Sequence, residues 1–113
     1  MITALHSLVY AEDADAARAF FRDVVGWPHV DAGGGWLIFA MPPSEVGVHP
    51  ADAPHHEVSL MCEDIASTVA ELQAKGAEFR GEIEERRFGR AITIVLPGDV
   101  EILLYEPTHP TAI

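Results

Sequence analysis

The sequence predicts an α+β fold in which one βαβββ unit occurs twice as a pseudo-symmetric pair. Residues 57–79, EVSLMCEDIASTVAELQAKGAEF, read as strand, cap, helix, stop and strand. The same order of signals stands near the start of the chain in LHSLVYAEDADAARAFFRDVVGW. After each helix come strand-like segments separated by glycine and proline turns, the last of them within LPGDVEILLYEP. With 113 residues, of which 49% are hydrophobic, the chain has material for one packed domain (residues 1–113).

Residues 2–10 alternate as a strand, with Ile2, Ala4, His6, Leu8 and Tyr10 on one face and Thr3, Leu5, Ser7 and Val9 on the other. Asp13 is placed to cap a helix whose apolar stripe is Ala17, Phe20, Phe21 and Val24, and Gly26 followed by Pro28 closes it. Residues 29–32 and 36–41 read as strands joined through Gly33, Gly34 and Gly35, a run suited to a hairpin turn with positive φ. That run is no phosphate loop: it lacks the lysine pattern, and no helix follows it to aim amide groups at an anion. Pro42, Pro43 and Ser44 turn the chain into a short strand over residues 45–49, which ends a first module of residues 1–50. Residues 51–54 form the linker.

The second module spans residues 55–107. Glu57, Ser59, Met61 and Glu63 share one face of its first strand, and Val58, Leu60 and Cys62 share the other. Asp64 caps a helix with Ile65, Val69 and Leu72 in a stripe, and Gly76 ends it. Residues 78–84 and 90–96 pair as a hairpin with a charged tip, residues 97–99 turn, and residues 100–106 make the last strand. Residues 108–113 read as a loose tail.

Aligning the modules sharpens the reading. His6 stands seven residues before Asp13, and Glu57 stands seven before Asp64, so the two hold equivalent places. In the closing strands Glu45 matches Glu101, Gly47 matches Leu103 and His49 matches Tyr105. A period repeated only twice implies a symmetric pair rather than a solenoid.

A net charge of −11 repels polyanions, which argues against nucleic-acid partners; an acidic surface can favour cationic ligands, and it also keeps a protein soluble. No apolar run reaches the roughly 20 residues that cross a bilayer, so no membrane partner is expected and a cytoplasmic location is the simplest placement. Cys62, the single cysteine, sits on the apolar face of its strand and reads as a small core residue.

In the order and spacing of these segments, from residue 2 to residue 107, the chain resembles the vicinal oxygen chelate superfamily of glyoxalases, bleomycin-resistance proteins and extradiol dioxygenases. The resemblance implies that the curved mixed sheets of the two modules enclose a cleft. It also implies metal ligands on the first and fourth strands of each module, which here fall on His6 and Glu57 and on Gly47 and Leu103. Two of those four can bind a metal. Strand alternation offers neighbours on the same faces, so the expected ligand set is His6, His49 and Glu57, with Glu101 beside it. Such a set suits Fe(II), Ni(II), Zn(II) or Mn(II), and no organic cofactor is expected. Glu57 and Glu101 are the expected proton-moving groups, and Trp36, Glu45, Met61 and Tyr105 the expected lining of a substrate cleft.

Two functions follow from the resemblance. One is a metal-dependent lyase, isomerase or dioxygenase acting on a small oxygenated substrate, the metal chelating two neighbouring substrate oxygens. The other is a metal-free binding protein that sequesters a cationic or aromatic small molecule. Either would act on a small-molecule ligand and form a homodimer.

Overall fold

The structure is a computed structural model and describes residues 6–45, 47–53 and 55–113. Its elements are helix α1 (Ala14–Ala19) continuing into a wider π-helical turn (Phe20–Val25), strands β1 (His29–Asp31) and β2 (Leu37–Phe39), β3 (Ser59–Met61), helix α2 (Ile65–Ala74), and strands β4 (Glu78–Arg86), β5 (Gly89–Leu96) and β6 (Val100–Pro107). The expected α+β class is what the chain adopts.

Both helices begin where the sequence signals them. The Asp13 carboxylate accepts from the Ala16 amide at 3.0 Å and the Asp64 carboxylate from the Ser67 amide at 3.2 Å, each satisfying a donor that has no partner within its helix. Gly26 ends the first helical run in the left-handed conformation at φ 80°. A further partner for α2 comes from far along the chain: the Ile65 amide donates to Glu106 Oε1 at 3.1 Å. This carboxylate therefore caps a helix.

The larger sheet has the order β3-β6-β5-β4, with β3 parallel to β6 and the other pairs antiparallel. β1 and β2 form a separate hairpin across the glycine run, where the Asp31 carboxylate accepts from the Gly33 amide at 2.7 Å. Side-chain alternation sorts the large sheet into two unlike faces. Ile92, Ile94 and Leu96 of β5 and Ile102 and Leu104 of β6 point to one face and are all buried. Phe20 packs there with Ile94, Leu96 and Ile102, while Ile65 and Val69 of α2 pack with Ile92 and Leu104. Each fully buried aliphatic side chain, such as Ile65, Ile94 or Leu96, contributes about 1.5–3 kcal/mol of transfer free energy. The opposite face carries Ser59, Met61, Thr93, Glu101, Leu103 and Tyr105, all at least partly exposed, around Ala91 and Val95, which are buried.

The first module differs from expectation in two places. Residues 2–5 of the expected first strand lie outside the described residues, and residues 6–10 run without strand pairing. Of the expected strand over 45–49, Val46 lies outside the described residues, and Glu45 and residues 47–49 are not in a strand. Pro42, Pro43 and Pro50 flank that segment and cannot donate ladder hydrogen bonds, and Gly47 adds no side chain to pack. The tail differs in the other direction. Residues 108–113 are tied down: the Thr108 amide donates to the Phe88 carbonyl at 2.9 Å, and the Ala112 amide to Glu45 Oε2 at 2.7 Å.

Candidate functional site

The expected site residues fall on two sides of the large sheet. His6 and Trp36 lie on the wall of a pocket whose floor includes Val58, Leu60 and Ile102. Leu60 and Ile102 belong to the helix-bearing face. Met61, Glu101 and Tyr105 alternate with them and point to the open face. A period of two therefore separates residues that the repeat had suggested would share one cleft.

The pocket encloses about 190 Å³ between residues 6–11, α1, the β1–β2 hairpin and the sheet. Its build begins with the π-helical turn, where the Gly26 and Trp27 amides both donate to the Phe21 carbonyl, at 3.0 and 3.1 Å. Phe20 and Phe21 meet edge to face at 5.9 Å, Phe20 entering the core and Phe21 the pocket wall. Trp27 stacks on Phe21 at 5.2 Å with the ring planes 9° apart, and Phe39 of β2 lies 5.6 Å from Phe21. Trp36 stands at the rim, 55% exposed, with the guanidinium carbon of Arg18 5.3 Å from its ring centre. Ala11, Ala14 and Ala17 leave the room that larger residues would fill.

Phe21 stands in the apolar stripe that the sequence predicts for the first helix, while local pattern singles out neither Phe39 nor Arg18. The signal for them was present but weak. Arg18 follows Ala14 by four positions and precedes Phe21 by three, which puts all three on one side of the helix.

The expected metal ligands do not converge. Among the described residues, no three of His, Cys, Asp and Glu lie together as a metal-holding group. His49 is exposed, and its Nδ1 donates to the adjacent Pro50 carbonyl at 2.6 Å. Glu57 is exposed two residues before β3 begins, beyond the reach of the ladder that would orient it. Glu101 pairs with Arg80 across β5. The set His6, His49 and Glu57 thus does not fit a divalent ion in this arrangement, because Glu45 and residues 47–49, which had to carry His49 into the cleft, are not held in a sheet.

On the open face a different group assembles. The Tyr105 hydroxyl lies 3.1 Å from His109 Nε2, and its ring packs edge to face on Phe88 at 5.3 Å. Burial, and after it the nearby Glu45 carboxylate, hold the Tyr105 phenol above the ordinary tyrosine range. Met61 lies at a shallow depression shared with Pro42, Pro43, Cys62 and the tail. Burial, opposed by a hydrogen bond to Thr68, likewise raises the Cys62 thiol, so it is a poor nucleophile at neutral pH. Its Sγ donates to the Tyr105 carbonyl at 3.6 Å.

The fold has solved relatives. An antibiotic-binding protein, TnmS3, from Streptomyces sp. CB03234 superposes with a TM-score of 0.64 at 22% identity, over 95% of this chain and 100% of that one. Lactoylglutathione lyase from Agrobacterium tumefaciens gives 0.63 at 19% identity, over 92% of each chain. The fosfomycin resistance protein FosX from Listeria monocytogenes gives 0.58 at 16% identity, over 96% of this chain and 94% of that one. Identities at this level establish the shared fold alone. No curated protein matches the sequence. The family model that does match spans residues 3–109, nearly the whole chain, and with the α+β architecture it makes this protein a member of the Glyoxalase/Bleomycin resistance protein/Dioxygenase superfamily.

Proposed function

We propose that the protein binds an aromatic small molecule in the pocket between α1 and the β1–β2 hairpin. One observation carries this reading: four aromatic rings, Phe21, Trp27, Trp36 and Phe39, surround an opening floored by aliphatic side chains. Aromatic walls around a few polar groups suit a planar ligand, which offers flat apolar area at little cost in conformational freedom. An apolar cavity of about 150 Å³ suffices for benzene, so the 190 Å³ here takes one ring and a substituent, and a larger ligand would project through the mouth. The antibiotic-binding relative lends support at the level of fold.

Trp27 and Trp36 are the protein's two tryptophans, and both line the pocket, so intrinsic fluorescence reports its occupancy directly. Titration with ring compounds is expected to give a saturable change in emission, lost in Ala14→Phe, which fills the pocket mouth from the exposed side of α1. No change with any ring compound would reject the reading. Thermal shifts with Fe(II), Ni(II), Zn(II) and Mn(II) test the metal-dependent alternative, since a native-state ligand must raise apparent stability. Stabilisation by one of them, abolished in His6→Ala, would favour it.

We infer as well that two copies associate. Exposed apolar side chains support this, Tyr10 at 86% and Val48 at 97% exposure among them. Light scattering behind a sizing column decides between one copy and two.

A further inference from the structure

We propose that the pocket selects aromatic carboxylates, with Arg18 as the residue that receives the acid group. The proposal rests on the binding function proposed above and names the class of ligand that site takes. Three observations carry it. The Arg18 side chain is 25% exposed and lies on the pocket wall, yet its one hydrogen bond among the described residues is from Nη1 to Asp15 Oδ1, at 3.1 Å. A guanidinium has five N–H donors in a planar fork, so most of this one's donors remain for a ligand. Asp15 competes weakly, because its side chain is 93% exposed and an ion pair in that setting is worth little.

The second observation is the sign of the wall. In a chain of net charge −11, none of the described residues lining the pocket is acidic, and its polar members are Arg18, His6 and Ser7. The excess of carboxylates stands elsewhere: Glu101 faces Arg80, and Glu45 faces the tail. An acidic protein that keeps this one opening free of acid does not suit a cationic ligand there, which reverses the expectation drawn from net charge alone.

The third is geometry. Arg18 is held over the rim ring of Trp36 at 5.3 Å, while Phe21, Phe39, Leu60 and Ile102 lie on the apolar walls. A planar ring placed among those walls with its acid toward Arg18 satisfies both ends of the pocket. A planar fork and a carboxylate match in two parallel hydrogen bonds, a fit that an amide or alcohol cannot reproduce.

The test uses 4-methylbenzoate and its uncharged counterpart 4-methylbenzamide, titrated by calorimetry, with the two tryptophan indole N–H resonances followed by NMR to locate the bound ring. In the native protein the acid is expected to bind about tenfold tighter than the amide, the usual scale of a charge-assisted pair. Arg18→Met should remove that difference, the acid losing about tenfold more affinity than the amide. Asp15→Asn, which frees the guanidinium, should tighten the acid alone. Equal affinity of acid and amide in the native protein, with both indole signals shifting, would overturn the carboxylate class and leave the aromatic pocket standing. Failure of either compound to move the indole signals would overturn both.

Discussion

Tyr105, near the end of β6, hydrogen-bonds His109 four residues on, hydroxyl to Nε2 at 3.1 Å, and so folds the tail back onto the open face of the sheet. Together with the contacts of Thr108 and Ala112, this makes residues 108–113 part of the domain's structure. His109→Ala is expected to cost about 0.5–1 kcal/mol, the net worth of a partly exposed hydrogen bond. Ending the chain at Pro107 should cost more, because the bonds to Phe88 and Glu45 go as well. Urea unfolding measures both.

The same tyrosine sets an alkaline limit. Burial and then Glu45 raise its pKa in the folded protein, so above about pH 10 the unfolded chain releases a proton that the folded chain retains. The contribution of Tyr105 is complete below that value and is lost as pH rises through the folded pKa. Cys62, also raised by burial, starts the decline from about pH 9. Unfolding free energies between pH 7 and 11 should slope downward, and Tyr105→Phe should flatten the steepest part above pH 10.

Gly89, at the start of β5, leaves no room for a side chain. A Cβ there would overlap the Glu106 carbonyl oxygen and approach Pro107 Cα at 3.1 Å, both of them backbone atoms that cannot swing aside. Gly89→Ala should therefore force β5 and β6 apart where they pair as Gly89 with Pro107, at a cost of about 2 kcal/mol or more. Gly34, with open space around it, serves as the control for a glycine whose φ of 61° alone is at stake. A smaller loss at Gly89 than at Gly34 would contradict the packing argument.

In the core, Ile94 is fully buried between Phe20 and the strands beside it. Ile94→Ala should cost about 2–5 kcal/mol and Ile94→Val about 0.5–1.5, the spread depending on how far the cavity collapses. Because Ile94 packs against the helix that carries Arg18 and Phe21, the alanine variant should also weaken ring binding. The valine variant should bind as the native protein does.

The cap of α2 gives a fifth outcome. Asp64→Ala and Glu106→Ala each strip one acceptor from the helix's first turn, and each should cost about 1 kcal/mol. Glu106→Gln keeps an acceptor oxygen and should lose less. Thermal melts of the three variants would show the order.

The sequence by itself determined what depends on neighbours along the chain. The caps at Asp13 and Asp64, the stops at Gly26 and Gly76 and the β4–β5 hairpin all rest on interactions spanning a few residues, and all stand in the structure. The alternation of β6 was legible too, since a buried face writes a period of two into the chain, whereas β5 is apolar and buried on both faces. Only the tertiary structure decided which side of the sheet became a pocket, because that depends on where α1 and the β1–β2 hairpin dock, a choice made by packing between segments distant in sequence. That docking puts His6 and Trp36 on one face and Met61, Glu101 and Tyr105 on the other, and gives Phe21, which packs against the core, a second place on the pocket wall. Glu57 and His49 held the repeat's register in sequence, yet no ladder orients them in space, and a metal site needs orientation to within fractions of an ångström.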